Sequence, residues 1–110
     1  MSMKMKLASD QIKRDLPQTE ASVDEALISV SELMSTLVQA RLSAGVPAST
    51  GQVAIRRLAK AQMALVDAST DVLRVHGELK KIGKEYAGWD THECPELAVA
   101  KGDAKLSIVA

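Results

Sequence analysis

The sequence is short of aromatic residues: it contains no Phe, and Trp89 and Tyr86 stand alone. A core without stacked rings must be built from Leu, Val, Ile, Met and Ala. Leu and Ala are strong helix formers, and interlocking aliphatic side chains suit helix-on-helix packing. The expected class is therefore all-α. Cysteine is equally scarce. Cys94 has no second thiol in the chain to pair with, so nothing points to an oxidising compartment. Net charge is absent as well, with fourteen basic residues balancing fourteen acidic ones. No global basic field exists to draw in nucleic acid or an anionic membrane. Long hydrophobic runs are missing too. Leu7-Ala8 behind the basic start gives way to Ser9-Asp10-Gln11, unlike a signal-peptide core, and no stretch nears the roughly 20 apolar residues of a membrane span. The expected location is cytoplasmic.

What remains is one domain's worth of chain, 110 residues of ordinary hydrophobic and charged content. Residues 1–18 read as a polar leader. A short helix over Ser9–Leu16 fits there, and Pro17 would end it. Residues 19–88 carry a helical-hairpin domain. Its first helix opens on a Ser22-to-Glu25 capping box, with Thr19 as rival cap. Glu20, Asp24 and Glu25 then suit the positive end of the helix dipole. A heptad follows along Val23, Ala26, Val30, Leu33, Leu37, Ala40 and Ala44, widened by Leu27 and Met34. Arg41, Gly45 and Pro47 supply a stop signal.

Ser49 with Gln52 reads as a second capping box, again with Thr50 as rival. So brief a connection makes its two helices antiparallel neighbours. The second helix is expected from about Thr50 to Ile82 or a little beyond. Its heptad runs through Ala54, Leu58, Ala61, Leu65, Ala68, Val72, Val75, Leu79, Ile82 and Tyr86, with Gly83 and Gly88 as the exit. Residues 89–110 read as an irregular or weakly β tail.

With helices of about 25 and 33 residues, the second would overhang the first by about two turns at 1.5 Å per residue. The overhang carries Val75, Leu79, Ile82 and Tyr86. Beside the heptad, Ile55, Ala59, Val66 and Leu73 form another apolar stripe. Apolar surface of that extent marks an interface. The expected interface residues are thus Ile55, Ala59, Val66, Leu73, Val75, Leu79, Ile82 and Tyr86. A homodimer completing a four-helix bundle is the simplest cover, since twofold dimers are the commonest homo-oligomers. The competing arrangement folds the two terminal segments back over the same surface. Charge agrees with pairing: the first helix holds four acidic residues against Arg41, and the second holds seven basic against four acidic.

No catalytic, cofactor-binding or metal-binding residue is assigned. His92, Glu93 and Cys94, with His76 upstream, have ligand character but lack the paired spacing of a zinc site. His76 reads as a hydrogen-bonded interfacial histidine beside the apolar stripe. The expected role is non-enzymatic: assembly with itself or with a helical partner, in the manner of a bacterial or phage accessory factor. Two alternatives stand beside it. One is a nucleic-acid-associated regulator using Arg56, Arg57, Lys60, Lys80, Lys81 and Lys84, against which stand interrupting acids and the lack of stacking aromatics. The other is a metal- or thiol-dependent activity at the His/Cys tail.

Overall fold

The structure is a computed structural model, and it describes residues 2–89. Two long α-helices make up the fold, α1 (Met3–Ala44) and α2 (Gln52–Tyr86), and no strand occurs among the described residues. The all-α helical hairpin expected from composition and heptads is what forms. Two compact units divide it. The first combines Met1–Glu20 with Leu73–Ala110, and the second is Ala21–Val72.

In the second unit, α1 and α2 pair through a half-buried seam. Val23, Leu27, Val30, Met34, Leu37 and Arg41 line it from α1 at alternating spacings of four and three. Ile55, Leu58, Gln62, Leu65, Ser69 and Val72 answer from α2 at spacings of three and four. Four residues of the α1 row expected to face the partner, Val23, Ala26, Val30 and Leu37, are half-buried, and the other three are not. Leu33 is 50% exposed and Ala40 and Ala44 are exposed, while the flanking Leu27 and Met34 take their places. The reason is size. Turning the larger Leu27 and Met34 inward removes more apolar surface than the alanines could, at roughly 25 cal/mol per Å². Gln62 then reaches across the seam, its Nε2 donating to Ser31 Oγ at 3.1 Å.

The connection closes this unit. Gly45 takes the left-handed conformation (φ +66°) that ends α1, as its sequence position implies. The start of α2 differs from expectation. Gly51, at φ +75°, precedes the helix, and its carbonyl accepts from Ile55 N at 3.0 Å. Gln52 makes no capping box with Ser49 through its side chain. Its Oε1 instead accepts from Arg41 Nη1 at 2.9 Å, and the same nitrogen donates to Thr50 O at 3.3 Å. A guanidinium has enough donors to bind both.

In the first unit, the expected polar leader proves to be helix. α1 starts at Met3 and runs through Pro17, so neither Pro17 as a stop nor Ser22–Glu25 as a cap survives. Ser9, Leu16 and Glu20 are buried on one side of this stretch, whereas Pro17 is exposed. The ring therefore points away from the packed side. The ladder bond that proline cannot donate is lost where water can substitute, and burial of Leu16 holds the turn on either side. Pro17→Ala is expected to stabilise the protein by about 1–3 kcal/mol, since proline costs about 3 kcal/mol in a helix interior. Thermal denaturation followed by circular dichroism checks this. An unchanged or lower midpoint would mean that Pro17 supports a bend the fold requires.

The overhang inferred for α2 disappears for the same reason. Leu79 packs beside Ile12 against a buried cluster of Leu16, Ala87 and Trp89. Gly83 is a further correction: it lies inside α2 rather than ending it, and Gly88 (φ +72°) makes the exit. The expected tail of residues 89–110 is described only at Trp89, which is 5% exposed. Its remainder, 90–110, lies outside the described residues.

Candidate functional site

Two features of the first unit were not anticipated from sequence. One is a buried polar pair. Glu20 and His76 are 6% and 8% exposed, and His76 Nδ1 bonds Glu20 Oε1 at 2.8 Å. His76 is hydrogen-bonded as expected, but its partner belongs to the same chain, and the side chain is buried without any interface. The sequence suggests Glu20 as a first-turn acid, which requires a helix beginning near it, whereas α1 begins at Met3. The signal that could have found the pair is periodic: position 20 continues the row through Leu16, and position 76 lies between Val72 and Leu79 at spacings of four and three.

The other feature is the seat of Trp89. Its amide and that of Ala87 both donate to Gly83 O at 3.0 Å, which turns the chain back over the end of α2. The indole then lies on Gly83, where a β-carbon would overlap ring atoms. Trp89 Nε1 donates to Ser9 Oγ, and Lys13 Nζ stands 4.9 Å from the ring centroid, a cation–π distance. One polar edge is thus satisfied while the ring remains in apolar surroundings. Beside the ring is a half-open, almost wholly apolar hollow of about 210 Å³, lined by Met5, Ile12, Ile82 and Tyr86 among others.

The expected interface residues fall into different environments. In the second unit, Ile55 is half-buried in the seam, whereas Ala59 and Val66 are exposed. In the first unit, Leu79 is half-buried, whereas Leu73, Val75, Ile82 and Tyr86 are exposed. Arg56, Arg57 and Lys60 are exposed beside Val53 near the start of α2, where they line a shallow depression. Lys81 approaches Glu78 at 3.9 Å. Among the described residues no group of three or more His, Cys, Asp or Glu side chains is placed to hold a metal ion. His92, Glu93 and Cys94 lie outside them. No helix among them is long and apolar enough to cross a membrane.

Fold and side chains together define an all-α helical hairpin whose packed faces carry internal polar pairs and which leaves many large apolar side chains outside. No family model, curated protein or solved structure matches the chain.

Proposed function

We propose that the protein is non-enzymatic and acts by association, joining copies of itself through the apolar side chains that the hairpin leaves exposed. One observation carries this reading. Among the described residues the buried apolar set is Leu16, Ala87 and Trp89, while fifteen large hydrophobic side chains are exposed, from Met3 to Tyr86. Helices in proteins draw most of their stability from burying an apolar face, and seams that are only half-buried leave much of that gain unrealised. A second hairpin supplies the missing cover, and the result is a four-helix bundle. Scattered apolar side chains are normal on any surface. Here Ala59, Val66 and Leu73 recur every seven residues on α2, which makes a row.

Light scattering behind size-exclusion chromatography tests the proposal on the full chain. A mass of two chains that falls toward one on dilution is the expected outcome, with a melting temperature that drops in parallel. A monomer at all concentrations up to the millimolar range would overturn it.

A further inference from the structure

One exposed patch on α2, within the second unit, is complementary to its own reverse. Its middle is Met63, which is 62% exposed. Around the helix Met63 stands about 100° from Gln62 and about 160° from Leu65, both of which face the seam. Ala59 lies four residues before Met63 and Val66 three after it, and both fall about 40–60° to one side. Lys60 lies three before and Asp67 four after, about 40–60° to the other side. All five are exposed, and neither Lys60 nor Asp67 has an ion-pair partner among the described residues. Beyond them the charges keep the same order, with Arg56 and Arg57 before Met63 and Asp71 after it.

We infer that this patch receives the same patch of a second copy, with the two α2 helices antiparallel. This rests on the association proposed above and adds its face and its orientation. The twofold axis lies in the plane of contact, perpendicular to both helices, and passes between the two Met63 side chains. Rotation about it reverses the helix direction and keeps each flank on its own side. At a rise of about 1.5 Å per residue, Ala59 then comes level, to within about 1.5 Å, with Val66 of the second copy. Lys60 comes equally close to the level of the second copy's Asp67. Each contact occurs twice, and the same surface serves both partners, as a closed dimer requires. At the centre Met63 meets Met63, an unbranched side chain that adapts to such a self-contact.

Charge commits the patch to this occupant. A copy running parallel would set Lys60 against Lys60 and Asp67 against Asp67, with Arg56 and Arg57 also facing their own kind. Reversal replaces each of these like pairs by an opposite one, so charge selects the antiparallel copy. Removal of Ala59, Met63 and Val66 from water supplies the attraction, because exposed ion pairs add little affinity by themselves.

The test reads the dimer dissociation constant of the full chain by sedimentation equilibrium, with circular dichroism to verify helicity. Lys60→Asp and Asp67→Lys, each alone, turn both flanking pairs into like-charge contacts and are expected to weaken association about tenfold. The double exchange restores opposite charges at both contacts and should return to within about threefold of the parent. Met63→Glu places two carboxylates at the axis and should abolish dimerisation with helicity retained. A dimeric parent whose single variants associate normally would overturn this face while leaving self-association intact. Weakened single variants without recovery in the double exchange would overturn the antiparallel pairing. A monomeric parent would overturn both the inference and the reading beneath it.

Discussion

Trp89→Ala is expected to destabilise the protein by about 3–5 kcal/mol, the usual cost of truncating a buried tryptophan. Trp89 is 5% exposed and is one of three buried apolar residues among the described residues. Its loss also removes the donor to Ser9 Oγ, leaving a buried hydroxyl without that partner. Urea denaturation at fixed protein concentration measures the effect. A loss under 1 kcal/mol would show that the indole is not seated as described.

Gly83 provides a sharper test of the same contact because its sign changes with background. Alanine is better than glycine in a helix interior by about 1 kcal/mol. In the parent chain, however, a β-carbon at position 83 overlaps the indole, so Gly83→Ala must displace Trp89 and should destabilise. Once Trp89 is alanine the space is open, and the same substitution should stabilise by about 1 kcal/mol. That reversal is a coupling between two touching residues, which a double-mutant cycle isolates. Additive effects of the two substitutions would refute the contact.

The second large effect belongs to Glu20 and His76. Glu20→Ala or His76→Ala alone should cost about 3 kcal/mol, because each leaves a buried polar group that has lost its partner. Glu20→Gln keeps an acceptor for the imidazole and should cost less than Glu20→Ala. Replacing both residues by leucine should bring stability back to the parent value or above it, since buried pairs often break even against apolar packing. The double-leucine protein is then expected to lose specificity of helix register, the best-attested use of a buried polar pair. Denaturation midpoints give the energies, and loss of dispersion in the amide NMR spectrum would report the looser pairing. A double-leucine variant as unstable as the worse single variant would mean that the site is too constrained for apolar side chains.

Much of the fold was legible in the residues. Spacings of three and four announced both helices, and Gly45 and Pro47 announced the end of the first. Helix termini were less legible. Thr19, Ser22 and Ser49 carry the chemistry of N-caps, yet Thr19 and Ser22 lie inside α1, and the start of α2 passes to Gly51. A cap signal states what a residue would do at a helix end, and it does not place the end there. Proline at position 17 misled for a related reason: its cost of about 3 kcal/mol is local, while the burial of Leu16 and Glu20 that offsets it comes from another part of the chain.

The candidate site was less legible still. Of the expected interface residues, Ala59 and Val66 are exposed in the second unit, and so are Ile28 and Met63, which carry no signal of their own in the sequence. Their prominence depends on which row of each helix the seam consumes. Likewise His76 reads as a hydrogen-bonded interfacial histidine, because its actual partner Glu20 stands fifty-six residues away in sequence.

Composition and periodicity by themselves determined that the chain is all-α and that it forms two antiparallel helices. These properties follow from local propensity and helical repeat, which act over a few residues. Tertiary structure decided the rest: which of two adjacent apolar rows turns inward, whether a helix survives its proline, and which carboxylate meets the buried imidazole. Those outcomes depend on side chains far apart in sequence competing for the same contact, and only the folded chain brings the competitors together.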